Sequence, residues 1–283
     1  MTSSLSHRER PVSAVDSHAH VFRRDLRFVE GRRHSPDFDA LLADYLGLLD
    51  ANGVSHALLI QPSFLGTDNT FLLAALDACP DRLRGVAVID PSFTDADLRG
   101  FASRGVCGIR LNLVGAATPD LAGDAWTALL ERVRVLGWHV EVHIELAALP
   151  PVGQAVIDSG CRLVVDHFGR PAADDAASRA WLMRAAKTRH VWVKLSAAYR
   201  NWPPSTADKA AAAAADLLDA FGPERLLWGS DWPHTQHREL ASFASTLAAL
   251  HAWVPDAAVR HTILVDTPRR LLKLSTGDIN DPI

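Results

Sequence analysis

Val15-Asp16-Ser17-His18-Ala19-His20-Val21-Phe22 is the stretch on which the fold turns. It reads as a first strand, Val15–Val21, that delivers two imidazoles to one face. His18 and His20 are two apart, and residues two apart on a strand point the same way. An open doubly wound sheet that binds a dinucleotide carries GxGxxG after its first strand. Here the strand runs into His-Ala-His, so that fold lacks its main signal.

Working outward, short apolar and β-branched runs alternate with longer stretches of helical periodicity. Seven further strands are expected at His56–Gln61, Arg84–Ile89, Gly108–Asn112, Trp138–Ile144, Arg162–His167, Val191–Leu195 and Leu226–Gly229. Amphipathic helices are expected at Phe38–Asn52, Asn69–Ala78, Asp95–Ser103, Asp124–Leu136, Val152–Ser159, Ser178–Lys187, Ala207–Phe221 and Glu239–Ala252. Asp37 or Asp39 is placed to cap the first of these. Strands alternating with helices imply parallel strands joined by right-handed crossovers. Eight such units close as a (β/α)8 TIM barrel, an α/β fold. No linker is evident, so residues 1–283 read as one barrel domain with a flexible N-terminus over 1–14.

The composition excludes several classes. A formal net charge of −4 gives no basic field for nucleic acid, and no Lys/Arg run suggests a membrane surface. No apolar run approaches the roughly 18 residues of a membrane span. The opening MTSSLSHRERPVSAV has no apolar core of a signal peptide. Cys79, Cys107 and Cys161 are odd in number and far apart, as expected of buried, reduced thiols. A cytoplasmic location is expected. One chain says nothing of oligomeric state.

In such a barrel the carboxyl ends of the strands converge on one pocket. The ends here carry His18 and His20, Gln61-Pro62-Ser63, Asp90, Arg110 and Asn112, Glu141 and His143, Asp166-His167, Lys194 and Ser196 with Tyr199 and Arg200 beyond, and Ser230-Asp231-Trp232-Pro233-His234. A carboxylate facing several histidines is placed as a general base, which gives Asp231 that role. Arg110 interrupts an otherwise apolar strand, and a buried cation needs a partner, either a salt bridge or a substrate anion. Charged residues crowd Arg23–Pro36. They read first as a solvated loop, and otherwise as a lid over an anionic substrate.

Four motifs in order carry a resemblance. They are Gln61-Pro62-Ser63-Phe64-Leu65-Gly66-Thr67-Asp68-Asn69, Gly108-Ile109-Arg110-Leu111-Asn112, Asp166-His167-Phe168-Gly169-Arg170-Pro171 and Leu227-Trp228-Gly229-Ser230-Asp231-Trp232-Pro233-His234. With the His-Ala-His run they resemble the amidohydrolase superfamily (amidohydrolase-2 type), and within it the 2-pyrone-4,6-dicarboxylate hydrolase, or lactonase, branch. The resemblance implies hydrolysis of a small anionic lactone. His18, His20 and His167 would polarise the carbonyl or orient water, and Asp231 would take the water's proton. Arg110, with Arg170 or Arg200, would grip carboxylates. Gln61, Ser63, Thr67, Asn69, Tyr199 and His234 would contact other parts of the substrate.

Many amidohydrolases hold two metals bridged by a carboxylated Lys or a Glu of the fourth strand. Arg110 stands there, and an arginine has no lone pair to offer. No metal is required on this reading. The other reading is one Zn²⁺ on His18, His20, His143 and Asp231. A metal-dependent decarboxylase of the same superfamily is the alternative function, and a non-catalytic binding protein is a third.

Overall fold

The structure is a computed structural model and describes residues 11–172 and 175–274. Eight strands follow one another as β1 (Val15–Ala19), β2 (His56–Ile60), β3 (Leu83–Ala87), β4 (Val106–Asn112), β5 (His139–His143), β6 (Arg162–Val165), β7 (Val191–Ser196) and β8 (Leu226–Gly229). Each pairs in parallel with the next, in the order β1 to β8. The ends of β8 and β1 meet: Asp231 N–H donates to His18 O at 2.8 Å and His20 N–H to Trp232 O at 2.8 Å. An ideal Cβ at Gly229 would fall 2.5 Å from His18 Cβ, so only glycine lets β8 approach β1 this closely. These are the parallel strands of a (β/α)8 barrel.

The helices are α1 (Leu42–Ala51), α2 (Thr70–Ala78), α3 (Asp95–Ser103), α4 (Asp124–Val135), α5 (Leu149–Asp158), α6 (Ala176–Ala185), α7 (Ala207–Phe221) and α8 (Phe243–Trp253), with α9 (Ala257–His261) and α10 (Thr267–Leu272) after them. One face of each strand packs outward against the helices, as with Ala57 and Leu59 of β2, Val140 and Val142 of β5, and Val193 and Leu195 of β7. Alternate positions form a second apolar layer of Val15, Leu58, Ile60, Val86, Val164 and Leu227, against which Leu271 and Leu272 of α10 pack. Toward the carboxyl ends, the same alternate positions become polar: Arg110, Glu141, His143, Lys194 and Ser196, all buried.

Some local expectations shift. Helix α1 begins later than expected and its N-cap, Leu41, makes no side-chain cap. Asp39 instead accepts from Arg24 N–H, because Phe22 and Ala40 pair as a short antiparallel bridge. Helix α5 starts early, with Pro150 and Pro151 in its first turn, where the missing N–H costs nothing. The expectation of a flexible N-terminus lies outside the described residues for 1–10. Beyond them, Ser13 is anchored: its N–H donates to Ser55 Oγ and its hydroxyl to Gly53 O. Of the cysteines only Cys161 is buried; Cys79 and Cys107 are half-buried, and all three are free thiols. Among the described residues no helix is long and apolar enough to cross a membrane.

Candidate active site

At the carboxyl end of the barrel a narrow cavity of about 50 Å³ is lined by His20, Ser63, Arg110, His143, His167, Arg170, Arg200 and Asp231, together with Arg33 and His34. Residues from β4 and β5 and from the segments after β1, β2, β6, β7 and β8 thus meet at one mouth.

Beneath the cavity lies a group of paired charges. Lys194 Nζ donates to Glu141 Oε2 at 2.5 Å and stands 3.4 Å from Asp166 Oδ1. Arg110 donates twice to Asp166 Oδ2, at 3.0 and 2.7 Å, and lies 3.4 Å from Glu141. Two cations face two carboxylates, all of them buried. Burial pushes Glu141 up, to about 8, with Asp166 adding to the rise. Burial acts to raise Asp166 as well, but Arg110 and Lys194 hold it well below the usual carboxylate range.

This floor orients His18. Its Nδ1 lies 3.1 Å from Lys194 Nζ and 3.2 Å from Asp166 Oδ1. Nδ1 thus stands between a donor, Lys194, and an acceptor, Asp166: paired with the first it leaves the His18 proton on Nε2, and paired with the second it carries the proton itself. His18 Nε2 faces His20 Nε2 at 3.3 Å. His20 in turn donates Nδ1–H to Ile60 O at 2.8 Å, which leaves its Nε2 lone pair toward the cavity. All three histidines are held neutral. Burial and Lys194 keep His18 far below the ordinary imidazole range. Burial, then Arg110, brings His20 to about 4. Burial brings His167 to about 3, partly opposed by Asp231.

Asp231 occupies a left-handed backbone position, φ 58°, directly after the Gly229-Ser230 turn. Its Oδ2 accepts from Tyr199 Oη at 2.5 Å and from Arg200 Nε at 2.8 Å. Its Oδ1 is left facing Nε2 of His18, His20 and His167 at 3.7, 3.8 and 3.9 Å. Burial opposes its ionisation, yet Arg200 and the histidines hold it well below the usual carboxylate range. One oxygen is therefore fixed and the other is an ionised, open acceptor.

Asp231 Oδ1 lies 3.7 Å from His18 Nε2 and 3.9 Å from His167 Nε2, so these three donors could hold one small cation, with His20 Nε2 beside them at 3.3 Å from His18 and 3.8 Å from Asp231. His18, His167 and Asp231 all have donor atoms within 4.8 Å of one another. His143, expected as a ligand, lines the cavity without joining this group, and both its ring nitrogens lack a partner. His18, Glu141 and Asp166 also converge, but Lys194 and Arg110 already supply the positive charge there. The donor set fits one cation, not two.

Other expected site residues are placed differently. Gln61 donates its amide to Gly66 O and Asp68 O, and Asn69 bonds Thr67 O, Val88 O and Val88 N–H. Both side chains tie loops together behind the cavity. Thr67 is exposed and does not line it. His234 is buried beside Tyr199, outside the lining. The segment 23–36 is not a plain solvated loop: Phe28 packs edge-on against Phe64, Pro36 is buried, and Arg33 and His34 reach the cavity.

Sequence reading missed the partners beneath the site. Asp16, raised to about 6 by burial, accepts from Tyr45 Oη, Ser230 N–H and Ser230 Oγ, and so fastens β1 to the end of β8. The alternation of His139, Glu141 and His143 in β5 was a signal that these side chains share the inner face. Their pairing with Lys194 and Arg110 depends on the barrel's closure and has no local signature.

The chain is similar to known proteins over nearly its whole length. It is 32% identical to a 4-sulfomuconolactone hydrolase of Rhizobium radiobacter, over 92% of this chain and 90% of that one. It is 29% identical to a 2-pyrone-4,6-dicarboxylate hydrolase of Comamonas testosteroni, with the same coverage. Among solved structures, a Pseudomonas putida protein provisionally named a 2-pyrone-4,6-dicarboxylic acid hydrolase aligns with TM-score 0.87 and 45% identity, covering 93% of this chain and 98% of that one. An Acinetobacter baumannii protein provisionally given the same name, solved with citric acid bound, aligns with TM-score 0.88 and 33% identity, covering 92% and 99%. The amidohydrolase family model matches residues 15–274, and the chain belongs to that family.

Proposed function

We propose that the protein opens a small anionic lactone by adding water to its ring carbonyl. The observation that carries this reading is Asp231: an ionised carboxylate with one oxygen pinned by Tyr199 and Arg200 and the other turned to three neutral imidazoles at the cavity. That oxygen takes a proton from water as the water's oxygen bonds the carbonyl carbon, and returns it to the ring oxygen when the acyl carbon–oxygen bond of the lactone breaks. His18, in the tautomer with its proton on Nε2, donates toward the oxygen that becomes negative, and His167 stands beside it with Nδ1 on Ser196 Oγ at 2.8 Å. Arg110 and the other lining arginines make the cavity positive, which favours an anionic substrate. A lactone is an activated ester, so this much assistance suffices without a metal in our reading. A divalent cation held by His18, His167 and Asp231 would polarise the carbonyl and acidify water. Binding it takes the tautomer with the His18 proton on Nδ1, where Asp166 Oδ1 stands 3.2 Å away.

The similarity to hydrolases named for sulfomuconolactone and for a pyrone dicarboxylate supports both the reaction and the charge of the substrate. The test is turnover of a panel of anionic lactones, with the product weighed by mass spectrometry. The expected product has gained one water. A product that has lost carbon dioxide makes the protein a decarboxylase, and no turnover of any lactone removes the proposal.

A further inference from the structure

Behind the cavity, one buried carboxylate touches the backbone on both sides of the site. Asp16 lies in β1, two residues before His18, and does not line the cavity. Its Oδ1 accepts from His18 N–H at 3.1 Å and from Ser230 N–H at 2.8 Å. Its Oδ2 accepts from Tyr45 Oη at 2.8 Å and from Ser230 Oγ at 2.5 Å. Four donors on two oxygens satisfy a fully buried carboxylate, which is costly to bury without them. The Ser230 hydroxyl passes the contact on, because its oxygen accepts from Trp232 N–H at 3.0 Å. The residues before and after Asp231 are thus both tied to Asp16. The Tyr45 ring also stacks on Trp232, at 5.0 Å and 22°.

Asp231 needs such a hold. It is a non-glycine residue at φ 58°, a left-handed conformation that persists only where the surroundings impose it. Its Oδ1 faces three imidazoles at 3.7–3.9 Å, and that aim is only as good as the backbone beneath it. We propose that Asp16 is a positioning residue for the hydrolysis: with Tyr45 and Ser230 it holds the Ser230-Asp231-Trp232 backbone in the left-handed turn that points Asp231 Oδ1 at the three imidazoles. The reaction it serves is the lactone opening proposed above, whereas the hold itself rests on these hydrogen bonds alone. Asp16 reaches neither the cavity nor the reacting atoms, so its loss acts on kcat and not on affinity for a ligand.

The experiment is a set of variants, each assayed below its own unfolding midpoint. Turnover is measured on an anionic lactone, and Kd by calorimetric titration with pyridine-2,4-dicarboxylate, a planar dianion with no ester to cleave. Asp16→Ala should lower kcat about 100-fold, as for a catalytic group misplaced by roughly 1 Å, and leave Kd nearly unchanged. Asp16→Asn should recover most of that loss, because its carbonyl accepts from the two N–H groups while its NH2 donates to the two hydroxyls, which can turn. Added to Asp231→Asn, Asp16→Ala should lower kcat no further, since it acts through that carboxylate. If Asp16→Ala does not fold, Tyr45→Phe and Ser230→Ala carry the same comparisons, each with a loss of about 3- to 10-fold, the worth of one hydrogen bond. Unchanged kcat, no recovery in Asp16→Asn, or a full further loss in the Asp231→Asn background overturns the positioning role. So does a crystal structure of the variant in which the Asp231 carboxylate has not moved. A wild-type protein that turns over no lactone removes the proposed reaction; a displaced Asp231 carboxylate in the variant crystal then upholds the hold by itself.

Discussion

At the floor of the barrel mouth each cation has its carboxylate, Lys194 with Glu141 and Arg110 with Asp166; at the rim, Arg33 and Arg170 have none within ion-pair distance among the described residues. The two regions both carry arginine at one mouth, yet they treat charge in opposite ways. Fully buried charges must be balanced within the protein, because an unpaired ion there costs several kcal/mol. The floor is thus satisfied before any ligand arrives, and its output is the orientation of His18. The rim is wetter and tolerates unpaired charge, and its output is attraction for an anion.

The comparison breaks first at Lys194. Lys194→Met leaves the Glu141 carboxyl without its donor and Asp166 with one cation in place of two, and should cost about 2–3 kcal/mol in urea unfolding, as expected for losing a buried charged hydrogen bond. A loss under about 1 kcal/mol would mean that the floor is not held by this pairing.

A second, smaller effect is acid destabilisation. His20 is lowered to about 4 and His139 and His167 to about 3, with His18 and His143 also well below the ordinary 6.5. Between about pH 4 and 6.5 the unfolded chain binds protons that the folded protein refuses, so stability rises with pH across that window. Asp16, raised to about 6, and Glu141, raised to about 8, act in the opposite direction, because their folded carboxyls keep protons the unfolded chain gives up. The histidines outnumber them, and the urea midpoint should climb from about pH 4.5 to 6.5. A flat or falling midpoint would contradict neutral histidines at the mouth.

The smallest effect sharpens the contrast from a distance. Thr94 and Asp97 cap α3 reciprocally and do not line the cavity. Thr94→Ala should cost about 1 kcal/mol in urea unfolding and leave turnover as it is. Lost turnover there would show that the barrel wall and the site are not separable.

The architecture was legible in the sequence because strand alternation and helix periodicity are local signals. Asp95–Ser103 and Ala207–Phe221 were read with the bounds they have. The starts of α1 and α5 were missed: the Phe22–Ala40 bridge is a non-local pairing, and the prolines lie where a helix tolerates them. At the site, the residues that end strands could be named, but their division of labour could not. Whether Arg110 meets a substrate or Asp166 depends on a neighbour 56 positions away. Arg33 was hidden in a run of surface-like charges, and only the aromatic anchoring of Phe28 and Phe64 shows why it returns to the cavity.

The account stands or falls on Asp231 Oδ1 as the acceptor of the water's proton. Replacing it by Asn keeps the shape and the contact with Tyr199 while removing the charge. On an anionic lactone turned over by the wild type, Asp231→Asn should lower kcat by roughly 10²–10⁴-fold while still binding pyridine-2,4-dicarboxylate. Wild-type kcat in that variant would contradict the account.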